Sequence, residues 1–218
     1  MTQATIQGRF IALEGGEGAG KSTQARLLAD ALRARGLKVV TTREPGGTPG
    51  AEAIRALLLD GVEGDGGESW NPRAEALLFA AARSDHVHRL IRPALARGAW
   101  VLCDRYLDSS RAYQGGGGGL SDADIGLLHR IGSEGLLPDL TLLVEVAPEI
   151  AVARLALRDV DGTDRIGGRD GAYHARVAAA FAGFAQAEPA RFARIDGNGD
   201  PQATHALVLA ALQPLLGA

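Results

Sequence analysis

Near the start of the chain, Gly15-Gly16-Glu17-Gly18-Ala19-Gly20-Lys21-Ser22, followed by Thr23, fits the spacing G-x-x-x-x-G-K-[ST]. Glycines there let successive backbone N–H groups turn inward around phosphate oxygens, and a helix starting at the lysine adds its positive end. Lys21 can reach the β and γ phosphates of a nucleoside triphosphate, while the Ser22 hydroxyl can ligate Mg²⁺. A chain with 30 glycines among 218 residues could match such a pattern by chance, so context must decide. Arg9–Glu14 (RFIALE) ahead of the run reads as a buried strand. Behind it, Lys21–Arg35 sets Ala25, Leu28, Ala29 and Leu32 at helical spacing, with Gly36 as the stop. Only two of the 23 basic residues are lysines, Lys21 and Lys38, and one stands where the motif demands it. The sequence predicts a nucleoside triphosphate binder.

The elements that would carry this loop follow from the pattern downstream. Lys38–Thr42 is a second strand, Ala51–Leu59 a short helix, and Asp60–Ser69 an acidic, glycine-rich loop. Pro72–Leu95 reads as a long helix, bent or interrupted at Pro93. Trp100–Cys103 is a third strand that stops at Asp104, and Ser121 with Asp124 signals a helix over Ser121–Ser133. Leu140–Val146 is a fourth strand, and Pro148 opens a helix to about Arg158. The polar segment Asp159–Gly171 is a loop, and helices Ala172–Ala187 and Pro201–Leu216 flank a fifth strand at Arg191–Ile195. Strands alternating with helices predict one α/β domain over residues 1–218, a five-stranded parallel sheet covered on both faces. Ligands on such sheets sit beyond the carboxyl ends of the strands.

Composition removes other classes. A hydrophobic share of 46% and a charged share of 22% suit a globular chain, and no apolar run reaches membrane-spanning length. The first residues, MTQATIQGRF, lack the pattern of a secretory leader, and one cysteine, Cys103, fits a reducing cytoplasm. A net charge of −3 argues against a general nucleic-acid binder. His86 and His88, two apart on a helix, do not share a face, so they predict no zinc pair. No N-K-x-D sequence is present to read guanine, and no second lysine stands early in the phosphate loop as in partition-type ATPases.

Two further runs narrow the reading: Arg43-Glu44-Pro45-Gly46-Gly47-Thr48 after the second strand, and Asp104-Arg105-Tyr106-Leu107-Asp108-Ser109-Ser110-Arg111-Ala112-Tyr113-Gln114 after the third. With the phosphate loop, these closely resemble thymidylate kinases of the nucleoside monophosphate kinase group, from about Phe10 to Asp196. The resemblance implies a P-loop kinase fold, a homodimer formed through the long helices before the third strand, and transfer of the γ-phosphoryl group of ATP to dTMP with Mg²⁺. The competing readings are another deoxynucleotide or deoxynucleoside kinase of this fold, or an ATPase that switches partner binding.

Carried onto matching positions, the resemblance places Gly15, Gly16, Glu17, Gly18, Ala19, Gly20, Lys21, Ser22, Thr23 and Arg158 at ATP. It gives Asp104 a part in holding Mg²⁺ with Ser22, gives Arg105 and Arg55 the acceptor phosphate, and adds Glu44 and Pro45 to the substrate-binding residues. Phe79 would stack on the base and Arg83, four residues on, would bond its O4. Ser110 and Gln114 would meet the base edge, Tyr113 would crowd the sugar 2′ position, and Glu17 would meet the 3′-hydroxyl. The phosphate loop has no arginine, so a lid at about 158–171 must supply one, as in the bacterial type, and Arg165 is its strongest candidate. Arg158 and Arg169 are weaker, because Val160 and Gly167 stand where the usual lid carries further arginine or glutamate. The run Gly115–Gly119 has no role readable from sequence beyond flexibility.

Overall fold

The computed structural model describes residues 8–61, 70–158 and 165–217, apart from the Arg158 side chain. Most of the expected Asp60–Ser69 loop and the middle of the expected lid lie outside the described residues.

Five strands, β1 (Phe10–Glu14), β2 (Val39–Arg43), β3 (Trp100–Asp104), β4 (Leu140–Glu145) and β5 (Phe192–Asp196), form a parallel sheet in the order β2-β3-β1-β4-β5. β1 is buried along its whole length, as a central parallel strand with helices on both faces must be. Its residues alternate between two cores. Ile11 and Leu13 face α1 (Lys21–Ala34) and α9 (Pro201–Leu216), packing on Leu28, Leu32, Val208 and Leu212. Phe10 and Ala12 face the opposite layer, with Val87, Ile91, Tyr106 and Ile125. Fully burying a leucine such as Leu28 or Leu32 contributes about 1.5–3 kcal/mol. Strand order reverses across β1, with β3 on one side and β4 on the other, so a crevice opens where the phosphate loop leaves the sheet.

The remaining helices are α2 (Pro49–Leu59), α3 (Pro72–His86), α4 (Arg92–Ala96), α5 (Leu107–Ser110), α6 (Asp122–Ser133), α7 (Pro148–Arg158) and α8 (Gly171–Ala187). Two π-helical stretches depart from expectation. The helix expected over Pro72–Leu95 runs without a break in helical hydrogen bonding but widens at Val87–Ile91, just before Pro93. The proline ring would crowd the carbonyl four residues earlier, and widening the preceding turn relieves that contact. The second, Arg111–Gly117, extends α5 and carries Tyr113 and Gln114. Buried Asp108 ties this segment to the sheet, accepting from Arg111 and Arg191 at 2.9 Å each and from Thr141 at 3.3 Å.

The glycine run also has a packing reason that sequence did not reveal. This stretch lies against α8, and a Cβ on Gly117 would come within 2.5 Å of the Tyr173 ring. That ring is buried and its hydroxyl is bonded to the Tyr113 carbonyl, so it has little room to yield. Gly117→Ala is therefore expected to destabilise the fold by about 1–3 kcal/mol. Gly183→Ala, on an exposed face of α8 with nothing within 4 Å, is expected to stabilise it by about 0.5–1 kcal/mol. Urea midpoints at unchanged m-value check both.

Candidate active site

β1 delivers the chain into the phosphate loop at Gly15, whose φ of +136° and close approach exclude a side chain: a Cβ would lie 2.2 Å from the Val144 carbonyl oxygen. The loop ends at Gly20, where α1 begins without a side-chain cap. By contrast Thr48, Asn71, Ser121, Asp170 and Asp200 cap α2, α3, α6, α8 and α9. The N–H groups at the start of α1 are thus left to an anion. Lys21 folds back over the loop, its Nζ donating to the carbonyls of Gly15 (3.1 Å) and Gly16 (2.6 Å). Burial, and then the Arg105 charge, push the Lys21 ammonium down to about 8.

Two cavities meet beside this lysine. The first, of about 480 Å³, is lined by Glu17 through Thr23, by Asp104 and Arg105, and by Arg154 with the loop from Gly197 to Pro201. The second, of about 300 Å³, is lined by Glu44, Pro45, Arg55, Phe79, Arg83, Ser110, Tyr113 and Gln114, with Leu59, Tyr106, Ser109 and Ile166. Glu17 and Arg105 line both. A cation thus stands at the junction, where two charged groups would be brought together. Its Nη2 donates to Glu17 at 2.5 Å, its Nη1 to the Gly15 carbonyl and Ser109 at 3.1 Å, and its guanidinium lies 5.0 Å from the Tyr113 ring centre.

In the smaller cavity the polar groups are held before any ligand arrives. Buried Arg83 donates to Glu44 at 2.7 Å, to Ser110 at 2.8 Å and to the Tyr106 carbonyl at 3.2 Å. Burial, the largest single influence, opposes its charge, but Glu44, Tyr106 and Glu14 together hold its pKa above the ordinary guanidinium value. His86 bonds the other Glu44 oxygen at 3.0 Å and Thr42 at 2.7 Å. Arg55 donates to the Pro45 carbonyl at 2.8 Å, and the Glu44–Pro45 peptide is cis. Phe79 and Arg83 share a face of α3, as their spacing predicts.

The thymidylate kinase family model matches residues 13–208. The chain belongs to that family. It is 58% identical to a thymidylate kinase of Rhizorhabdus wittichii over 97% of this chain and all of that one. It is 48% identical to one of Bradyrhizobium diazoefficiens, over 96% and 91% respectively. A thymidylate kinase crystal structure from Ehrlichia chaffeensis superposes with a TM-score of 0.77 at 31% identity, covering 95% of this chain and 100% of that one. This thymidylate kinase-family chain is therefore an ATP-dependent phosphotransferase of the kind that phosphorylates dTMP.

In this kinase every residue expected at the acceptor lines the smaller cavity, and Glu17 through Thr23 line the larger. The lid residues are placed differently. Half-exposed Arg165 lines neither cavity, whereas its neighbour Ile166 lines the smaller one. The Arg158 side chain lies outside the described residues. Among the described side chains of α7, Arg154 lines the larger cavity, which sequence reading missed; it donates to the carbonyls of Gly197 (2.9 Å) and Gly199 (3.1 Å). Its only sequence signal was a charge inside an apolar helical run.

Among the described residues, two clusters offer ligand atoms to a metal. Ser22 Oγ donates to Asp104 Oδ2 at 2.5 Å beside the larger cavity, an all-oxygen pair of the type that hard cations take. Glu44, His86 and Cys103 also bring ligand atoms within 4.8 Å of one another. There each atom set is already engaged, Cys103 with the Arg105 carbonyl at 3.0 Å, and burial pushes the thiol up, away from the thiolate a metal binds. That group is a hydrogen-bond cluster.

A second residue missed from sequence is Glu14, fully buried at the end of β1. Its Oε1 accepts from the backbone N–H of Tyr106 (2.8 Å) and Ser109 (3.0 Å), and its Oε2 from Ser109 Oγ (2.6 Å). These bonds pin the turn in which Arg105 adopts a left-handed φ of +67°. Burial, then the Asp108 charge, push the Glu14 carboxyl up to about 7. The folded state therefore keeps a proton that the unfolded chain releases near 4.5, so this contribution to stability falls as pH rises from 4.5 to 7. Glu14→Gln resembles the protonated form and is expected to flatten that slope, by up to about 3 kcal/mol between pH 5 and 8. Urea midpoints of both proteins across that range isolate Glu14. His129, pushed down to about 4 by burial, contributes the opposite slope to each alike.

Proposed function

We propose that this kinase moves the γ-phosphoryl group of ATP onto the 5′-phosphate of dTMP, giving dTDP and ADP, with Arg105 between the two nucleotides. The observation that carries the reading is the meeting of the two cavities at Arg105 and Glu17. ATP would lie along the phosphate loop, its phosphates on the backbone N–H groups, Lys21 and the open start of α1, with Arg154 beyond. Ser22 and Asp104 would hold Mg²⁺, which would offset charge on the phosphates when bound. The dTMP base would stack on Phe79, with Arg83 at O4 and Gln114 and Ser110 at its edge. Its sugar would sit between Tyr113 and Glu17, and its phosphate against Arg105 and Arg55. A 300 Å³ cavity suits a mononucleotide.

In the transfer, an acceptor phosphate oxygen forms the new bond to the γ-phosphorus while the bond to the β,γ-bridging oxygen breaks and ADP leaves with the electron pair. A dianionic acceptor needs no general base, so the protein's task is positioning and neutralisation of charge. Arg105 holds the acceptor in line, and Lys21 steadies the donor phosphates. Arg165, from a lid at about 158–171 of the single domain, would neutralise the group in flight. Homodimerisation would cover part of the α3–α6 layer, where Leu77, Leu127 and Ile131 are exposed. We place the enzyme in the cytoplasm, where its one thiol stays reduced.

A coupled ADP-release assay over dTMP, dUMP, dCMP and thymidine is expected to give the highest kcat/KM with dTMP; a preference for thymidine contradicts the proposal. Arg165→Ala is expected to lower kcat by about 10³-fold or more. Its dTMP affinity by calorimetry should stay near the unaltered protein's, and collapse of that affinity would move Arg165 out of the lid role.

A further inference from the structure

Behind the base-reading wall of the smaller cavity stands a carboxylate that no motif singles out. Glu75, in the first turn of α3, is 5% exposed and lines neither cavity. Gln114 Nε2 donates to its Oε1 at 2.8 Å, and Arg169 Nη2 donates to its Oε2. Arg169 in turn donates to the Tyr173 hydroxyl at 2.6 Å and lies 4.6 Å from that ring centre. The Tyr173 hydroxyl donates to the Tyr113 carbonyl at 2.9 Å. Two residues that line the cavity, Gln114 and Tyr113, are therefore fastened from behind to one arginine.

The two ends of a carboxamide have nearly the same shape and opposite hydrogen-bonding character, so a neighbour decides which end faces a ligand. A carboxylate paired with arginine accepts only. Gln114 must turn its NH₂ toward Glu75, which leaves its carbonyl oxygen as the end available to the cavity. Thymine and uracil carry a donor at N3, whereas cytosine carries an acceptor there. A carbonyl oxygen meets the first with a hydrogen bond and the second with a lone pair.

We propose that Glu75 is a specificity-determining positioning residue: by taking the donor end of Gln114 it presents the acceptor end to the base, selecting a pyrimidine with an N3–H over cytosine. Arg169 supplies the charge that lets a carboxylate remain buried at this place. It joins that choice to the segment that brings Ile166 to the same cavity. The inference rests on the proposed acceptor being dTMP.

Glu75→Gln keeps the shape but can donate as well as accept, so Gln114 is free to turn either way. The kcat/KM ratio of dTMP to dCMP is expected to fall roughly tenfold, since Arg83 still opposes the cytosine amine. Most of the change should lie in the KM for the monophosphates, with the KM for ATP unmoved. Glu75→Asp, again acceptor-only, should restore the ratio even at reduced turnover. A merely structural Glu75 would lower both substrates together. Glu75→Gln leaves Arg169 unpaired, so the double variant E75Q/R169M, with both charges removed, carries the same expectation in calorimetric binding of dTMP and dCMP. The role of Glu75 is overturned if E75Q and E75Q/R169M keep the original ratio, or if E75D loses it as fully as E75Q. If the unaltered enzyme prefers dCMP or thymidine to dTMP, the acceptor assignment fails instead.

Discussion

The site depends on the C-terminal ends of β1 and β3 being locked together, and a buried carboxylate makes the lock. Glu14 ends β1 and accepts three hydrogen bonds from Tyr106 and Ser109, just beyond β3. The Arg105 N–H donates to the Leu13 carbonyl at 2.9 Å. Between these anchors Arg105 is held in a left-handed conformation that a non-glycine residue rarely adopts. A helical or extended Arg105 would send the same guanidinium elsewhere, and the two cavities would lose their shared cation.

A second constraint shapes the smaller cavity: two of its cations, and a third behind its wall, have anionic partners. Arg105 is paired with Glu17, Arg83 with Glu44, and Arg169 behind the wall with Glu75. Buried charge without a partner is costly, and a pair with further hydrogen bonds is rigid. The result is a set of donors and acceptors oriented before the nucleotide arrives, the arrangement that electrostatic catalysis and base discrimination both require. In the proposed role of Glu75 the same pairing makes specificity a property of residues one layer back, because the carboxylate, not the ligand, orients the Gln114 side chain.

Chemistry that is local in the chain was legible in advance. Lys21 and Ser22 sit in a contiguous motif, and Asp104 and Arg105 end a strand whose apolar pattern is plain. All ten residues carried over to the acceptor line one cavity, from five separate segments between Glu17 and Gln114. What was not legible lies at long sequence separation. Glu14 meets partners 92 and 95 residues away, and Glu75 meets Gln114 and Arg169 at 39 and 94. A carboxylate at a strand end or in a first helical turn has ordinary local explanations, so neither residue carried a signal of its own. Gly117 is similar: a glycine in a glycine run reads as slack until the Tyr173 ring is seen against it.

By itself the sequence determined the parallel α/β sheet, the phosphate loop at the end of its first strand, and the family, because each is written in short-range spacing and alternation. Tertiary structure decided where the charges point. It set the left-handed turn at Arg105, put Arg154 against the loop after β5, and turned Gln114 by placing Glu75 behind it. The physical reason is that spacing determines which backbone N–H groups and apolar faces lie together, whereas a side chain's orientation depends on whichever polar partner the packed fold brings within hydrogen-bonding reach of it.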